Sequence, residues 1–358
     1  MTAQSAIDAV LALARGEIRE LRPYEHASFV GLERLHANES PWPPLSEPAD
    51  SELHHYPEPQ PAELRAALAD YYGVPSASVL VGRGSDEGID LLTRVFCAAG
   101  RDAVLICPPT FGMYAVAASI QGANVLSVPL RDNFTLNTEA VVAKIAAPDV
   151  SGVKIVWLCS PNNPTGNALD TAAIDQVIAA ARGRALVVVD EAYAEFNPSP
   201  SYAGRLASEP HLVVLRTLSK AHALAGARIG AVLAHPAVIA LLHKVIPPYA
   251  VARESTAAAL RAMQPGNLAV TRARITEILA ERARLEQHLA ELPIIKKVWP
   301  SAANFVLVEA GDATRLLARA AAAGLILRDF RGKTGLGEAI RISVGTPAQN
   351  ARLLRSLA

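Results

Sequence analysis

RTLSKAHALAGARIG, residues 216–230, decides how the rest of the chain is read. It opens as the tail of an apolar run, HLVVLRTL, with the length and β-branching of a buried strand. Lys220 then stands where the strand ends, with Ser219 before it and Arg228 eight residues on. Lysine is scarce, seven residues in 358 against 27 arginines. An ammonium beside a core must be paired or neutralised, and the ordinary solution is to run the stem outward along the surface. A strand end opens a second reading, an amine kept as a nucleophile. Ser219 and Arg228 suit a phosphate beside it, since an arginine fork can hold that anion in bidentate fashion.

Polar clusters follow other apolar runs in the same way. SVLVG (78–82) leads into GRGSDEG (82–88) and a helical pattern, an anion site or an ordinary capped helix. Its glycines read G-x-G-x-x-x-G, one residue too long for a dinucleotide fingerprint. KIVWLCS (154–160) leads into SPNNPTG (160–166), a turn whose asparagines can present amides to a cleft. VVVDEAY (187–193) ends a buried run on Asp190, which needs a cation or several donors: a protonated ring nitrogen, or a structural salt bridge. A metal is disfavoured, because no His or Cys cluster stands at the other strand ends.

Further strands are predicted at 103–107, 124–130, 185–190, 212–217 and 229–234, and helices at 62–73, 85–100 and 169–182. Strand alternating with helix predicts an α/β protein, a mostly parallel sheet sandwiched by helices with ligands at the strands' C-terminal ends. Residues 34–61, rich in Pro, Ser and Glu, read as an extended connection. After about residue 250 the pattern changes to a long amphipathic helix (267–292), then NFVLVEA, a helix at 313–323, LILRDF, AIRISV and a last helix at 349–357. The organisation expected is an N-terminal arm (1–60), a large domain (61–250) and a small C-terminal α/β domain (251–358).

Composition narrows the function. The chain is 51% hydrophobic and 19% charged, with a formal net charge of zero, so no basic excess points to nucleic acid. No apolar stretch is long enough to cross a bilayer and the N-terminus does not read as a signal peptide. Cys97, Cys107 and Cys159 form no CxxC pair. A cytoplasmic location is expected. A lysine nucleophile, an acid for a ring nitrogen and a phosphate cradle together describe a site for pyridoxal 5′-phosphate.

With these pieces in order, the chain resembles the fold-type I pyridoxal-phosphate aminotransferases of class II, and among them the histidinol-phosphate aminotransferases. The likeness is carried by RPY (22–24), HANES (36–40), YPEPQP (56–61), GRGSDEGIDLL (82–92), CPPTFGMY (107–114), SPNNPTG, DEAYAEF (190–196), RTLSKAHALAGARIG, PPY (247–249), LRD (327–329) and RISVGT (341–346). The resemblance implies that Lys220 forms the Schiff base with the cofactor and shuttles the proton, and that Asp190 faces the pyridine nitrogen. It implies Tyr193 and Asn163 at the phenolic oxygen, and Gly84, Ser85, Asp86, Ser219 and Arg228 at the phosphate. Phe111 would cover the ring, where many relatives have tyrosine. Tyr56 would reach the phosphate of the other subunit, which implies a homodimer with shared sites. Arg341 and Arg328 would receive the substrate's anions, and Tyr24 and Tyr249 would wall the pocket. The reaction implied is transamination of L-histidinol phosphate with 2-oxoglutarate, giving imidazole acetol phosphate and glutamate. Rivals of similar sequence type are a phosphothreonine decarboxylase and an aromatic amino-acid aminotransferase. A ligand-binding regulator would need a DNA-binding module for which these residues leave no room.

Overall fold

The computed structural model describes residues 2–23, 34–47, 51–147 and 152–358. Two helices open the chain, α1 (Ala3–Leu13) and α2 (Gly16–Glu20), followed after the extended segment by α3 (Ala62–Tyr72). Strands and helices then alternate: β1 (Val79–Gly82), α4 (Ser85–Phe96), β2 (Ala103–Ile106), α5 (Met113–Gln121), β3 (Asn124–Ser127) and α6 (Thr138–Ala146). The alternation continues through β4 (Val153–Cys159), α7 (Thr171–Ala181), β5 (Leu186–Asp190), β6 (Leu212–Thr217), β7 (Gly230–Ala234), α8 (Pro236–His243) and α9 (Arg253–Ala262). Last come α10 (Pro265–Ala290), β8 (Ile295–Trp299), β9 (Phe305–Ala310), α11 (Ala313–Ala322), β10 (Arg328–Asp329), β11 (Ala339–Ser343) and α12 (Pro347–Leu357).

β1 to β7 form one sheet in the order β1-β7-β6-β5-β4-β2-β3. β7 runs antiparallel to both its neighbours, β1 and β6, and the other four pairings are parallel. Almost every residue of β1, β2 and β4 to β7 is buried, as continuous apolar strands covered on both faces must be. The two faces carry separate cores. One includes Leu64, Val156, Val187, Val214 and Leu233, and the other Leu92, Phe96, Trp157, Val188 and Leu215. α1 is part of the second, through Val10 and Leu13. The smaller sheet, β10-β11-β9-β8, is antiparallel throughout, and its core of Val306, Val308, Ile340 and Ile342 is joined by Leu285 and Leu289 of α10, Leu316 of α11 and Leu353 of α12.

Local chemistry sets the element ends. α3 stops at Gly73 in the left-handed region (φ 68°). α7 starts on Asp170, whose carboxylate accepts from the Ala173 N–H, and α12 starts on a Thr346–Gln349 capping box. Three expected elements are shorter than their apolar patterns. The strand at 124–130 stops at Ser127, ahead of Pro129. The helix from 85 ends at Phe96, where Cys97 is extended (φ −113°). LILRDF yields only β10, an exposed two-residue edge strand. β8 was not expected from the sequence: its burial pattern has no clean alternation, and Lys296 and Lys297 are exposed.

The parallel register puts Cys159 opposite Asp190, and Asp190 opposite Leu215. The C-terminal ends of β4, β5 and β6 therefore finish at one level. SPNNPTG, DEAY and the Lys220 turn all leave the sheet there.

Candidate active site

A cavity of about 780 Å³ lies over those strand ends. Its lining includes Ser85 and Asp86 from α4, Phe111, Cys159 and Asn163, and then Asp190 and Tyr193, Ser219 and Lys220, and Arg228. The small sheet closes the cavity with Arg328, Phe330, Lys333 and Arg341. Residues far apart in the sequence meet here for the reason open α/β sheets bind ligands at these ends: the loops diverge and leave a crevice.

Gly84 begins α4 at φ 86°, and no side chain caps the helix, so its first N–H groups face the cavity wall uncapped. A Cβ on Gly84 would lie 2.7 Å from Arg228 Nη2, and one on Gly230 of β7 would lie 2.6 Å from the Ser85 backbone nitrogen. The two glycines let β7, Arg228 and the helix start interlock. Arg228, itself at φ 54°, donates through Nη1 to the Ala225 carbonyl at 3.2 Å, and its Nη2 makes longer contacts, 3.4 Å to Asp86 Oδ2 and to the Arg83 carbonyl. Its side chain is 48% exposed, and the more loosely held Nη2 lies beside the uncapped helix start. Ser219 Oγ stands 3.0 Å from the Thr217 hydroxyl on the same wall.

At the floor, Asp190 is 2% exposed. Its Oδ2 accepts from the Tyr114 hydroxyl at 2.7 Å and its Oδ1 from the Ala192 N–H at 3.1 Å. Burial pushes its pKa up to about 6, against those two hydrogen bonds. Just behind it, Arg216 of β6 binds Glu191 at 2.8 Å and Glu195 at 2.7 Å. This buried bridge ties the end of β5 to the strand that carries Lys220.

The Lys220 amine opens onto the cavity, 5.7 Å from the centre of the Tyr193 ring. Burial lowers its pKa first, and the positive charges of Arg341 and Arg228 add to that. The Tyr193 ring packs edge-on against Phe305, and its hydroxyl finds no hydrogen-bond partner among the described residues. Asn162 binds the loops together through Thr110, Thr165 and the Pro109 carbonyl. Asn163 is left to face the cavity, where its Oδ1 accepts from Arg341 Nη1. Across the β10–β11 ladder Arg328 stands directly opposite Arg341. Like charges so paired are destabilising, and neither guanidinium has a carboxylate partner among the described residues.

The family model for aminotransferase class I and II matches residues 35–357. The chain belongs to the class I and II aminotransferases. It is 48% identical over 353 residues to the histidinol-phosphate aminotransferase of Xylella fastidiosa (strain 9a5c), covering 97% of this chain and 96% of that one. The protein of the same name from Stenotrophomonas maltophilia (strain R551-3) is 46% identical over 356 residues, 98% of this chain and 97% of that one. Among solved structures, the histidinol-phosphate aminotransferase from Sinorhizobium meliloti in complex with pyridoxal-5′-phosphate superposes with a TM-score of 0.76 at 27% identity, covering 86% of this chain and 82% of that one.

Not every residue named from the aminotransferase sequence lines this cavity. Tyr56 and Tyr249 stack on each other, ring centroids 4.6 Å apart, and neither is in the lining. Tyr24 lies outside the described residues. Among the described residues no cluster of His, Cys, Asp and Glu could hold a metal ion, and no helix is long and apolar enough to cross a membrane.

Sequence reasoning missed Tyr114. It is fully buried, parallel to Trp157 at 4.9 Å, edge-on to Phe111 and bonded to Asp190. The only signal was its place in CPPTFGMY, three residues after Phe111, just inside the helix that begins at Met113. Lys333 was missed as well, because nothing local to RGKTGLG announces a cavity.

Proposed function

We propose that this aminotransferase moves the amino group of L-histidinol phosphate to 2-oxoglutarate, using pyridoxal 5′-phosphate held on Lys220. One observation carries the reading. A lysine with a depressed pKa and a buried aspartate share a single cavity with two arginines that have no carboxylate partner. The relatives of that name, 46–48% identical over nearly the whole length, point the same way.

The residues present fit the cofactor. The uncapped start of α4, Ser219 and Arg228 stand together on the cavity lining, and only a glycine at 84 lets the Arg228 guanidinium lie against the helix start, which suits a phosphate cradle. Asp190 has a carboxylate to offer a ring nitrogen, and the unpartnered Tyr193 hydroxyl, with Asn163, suits a phenolic oxygen. Phe111 supplies an aromatic face for the ring. When bound, the cofactor supplies an aldehyde for the substrate's amine and a protonated ring that draws electrons from the substrate's α-carbon.

The chain's own groups do the rest. Lys220 yields to the incoming amine and then acts as general base at the substrate's α-carbon, its lowered pKa keeping a share of the amine neutral. Asp190 in its ionised form holds the ring-nitrogen proton. Arg341 receives the substrate's anion, with Arg328 beside it for a phosphate. The same cations serve the dicarboxylate in the return half-reaction.

Tyr56 is 49% exposed and lies outside this chain's cavity, and the segment around it also leaves Leu35, Trp42 and Leu45 exposed. These features support a homodimer in which Tyr56, with Tyr249, serves the partner's site. We take residues 61–250 as the cofactor-holding domain, 251–358 as the smaller domain that presents the arginines, and the cytoplasm as the location.

The test is a visible spectrum of the purified holoprotein titrated with histidinol phosphate, without 2-oxoglutarate. The expected result is a band near the visible edge that falls as the substrate is added. A band that stays unmoved defeats the substrate assignment, and phosphothreonine with CO₂ release monitored then becomes the next trial. No band after addition of pyridoxal phosphate defeats the assignment of Lys220.

Tyr114→Phe tests the floor. Its hydrogen bond favours ionised Asp190, so its loss raises that pKa and shifts the acid limb of the pH–rate profile to higher pH. A hydrogen bond to a charged group is worth about 1.5–3 kcal/mol, so activity at pH 6 should fall about tenfold or more, and less at pH 8. An unshifted acid limb would show that Asp190 does not depend on this tyrosine.

A further inference from the structure

Three cations stand close together near the edge of the small sheet, and their surroundings differ. Arg331 is engaged, binding Asp329 at 2.8 Å and donating to the Thr314 hydroxyl at 2.7 Å. It is not part of the cavity lining. Arg328 and Lys333 are, and among the described residues no carboxylate comes within ion-pair distance of either.

The turn that carries Lys333 is pinned on both sides. The Lys333 N–H donates to the Phe330 carbonyl at 3.2 Å, and the Leu336 N–H donates to the Lys333 carbonyl at 3.1 Å. Leu336 is buried in the core of the large sheet. Gly335, at φ 77°, lies near Pro109, where an added Cβ would make ordinary van der Waals contact with the proline ring at 3.5 Å. The Phe330 ring lies within cation–π distance of both guanidinium groups, Arg328 at 5.7 Å and Arg341 at 5.3 Å. The Lys333 backbone is thus held at the cavity wall, its ammonium makes no hydrogen bond or ion pair among the described residues, and Thr334 lines the cavity next to it.

We propose that Lys333, assisted by the Thr334 hydroxyl, is a specificity-determining residue that favours a doubly charged phosphoryl tail over a carboxylate. The inference rests on the reading that a phosphorylated amine and a dicarboxylate use the same cavity. A carboxylate is satisfied by one arginine fork. A phosphate monoester carries about −1.5 to −2 charges near neutral pH and three acceptor oxygens. Coulomb attraction to a third cation therefore grows almost in proportion, and the extra oxygen gives that cation an acceptor. A lysine suits this role because its flexible stem can reach in for the phosphate and withdraw to water when a dicarboxylate enters.

The experiment compares the holoenzymes of wild type, Lys333→Ala, Lys333→Arg and Arg331→Ala. Each is titrated spectrally in one half-reaction with histidinol phosphate and, separately, with glutamate, and inorganic phosphate is run as a competitor against glutamate. Loss of one charge-assisted contact at the mouth predicts a half-saturating concentration of histidinol phosphate about tenfold higher in Lys333→Ala, with phosphate inhibition weakened to a similar degree. Glutamate should change by about twofold or less, as a partly screened charge would. Lys333→Arg should recover most of the loss, and Arg331→Ala should behave as wild type. The proposal is overturned if Lys333→Ala matches Arg331→Ala towards phosphate, or if it weakens glutamate as much as the phosphate compounds. Should the wild type ignore histidinol phosphate, the substrate reading fails by itself, and the inorganic-phosphate arm still decides the role of Lys333.

Discussion

Lys220→Ala should lower kcat/KM by at least about 10⁴-fold, because in the proposed function one side chain supplies both the covalent anchor and the general base. The visible band should vanish even with pyridoxal phosphate in excess, and borohydride should no longer fix the cofactor to the chain. In the wild type it should add the cofactor's mass to the peptide containing Lys220. The fold should survive, since the amine packs against no core and opens on the cavity. Lys220→Arg is the sharper control. It keeps a cation near Asp86 and Asp190 but offers no nucleophile and cannot be neutralised at working pH. It should be as inactive as alanine. Substantial activity in either variant, or a borohydride adduct at another lysine, would remove Lys220 from the centre of the site.

How much of this was legible beforehand follows from where each residue's partners lie. Lys220, Asp190, Asn163 and Ser85 each sit at or within three residues of the end of an apolar run, so a strand-end rule places them at one edge of a parallel sheet from the sequence alone. The proposed phosphate cradle was only half legible. GRGSDEG could have been a plain capped helix, and the deciding fact, Gly230 of β7 packing onto the Gly84–Ser85 backbone, joins segments some 145 residues apart. Tyr114 was hidden by its own burial, because a tyrosine in an apolar helix reads as core and its hydroxyl partner belongs to another element. Lys333 was illegible for a related reason: its turn is anchored by Leu336 in the core of the large sheet, a contact with no local signature. Edge elements were misjudged in both directions. LILRDF has a strand's composition but only a two-residue pairing partner, whereas β8 pairs with β9 despite a lysine pair in its middle.

Asp190→Asn should separate activity from stability, with opposite signs. Activity should fall by about two to three orders of magnitude, as when a single preorganised electrostatic contact is removed. A neutral amide cannot hold a proton on the ring nitrogen. The apoprotein should instead gain stability at pH 8. The folded-state pKa of Asp190 is about 6, above the value of about 3.9 for an unfolded aspartate. Protonation is therefore favoured by folding, and ionising the carboxylate works against the fold. Below about pH 4 the group is protonated in both states and makes no difference. Between about pH 4 and 6 the penalty grows, and above 6 it is constant at about 2–3 kcal/mol. Asparagine removes the charge and keeps one acceptor, and the Tyr114 hydroxyl can turn from donor to acceptor to meet the amide. Urea melts of the two apoproteins at pH 8 and pH 5 check this: the variant should be the more stable at pH 8, and the gap should narrow at pH 5. A variant less stable than wild type at pH 8 would mean that the Tyr114 and Ala192 hydrogen bonds already compensate the buried charge. The strain assigned to Asp190 would then be absent. If the sign holds, the carboxylate is a group the fold tolerates at a cost to stability, and a bound cation opposite it is what offsets that cost.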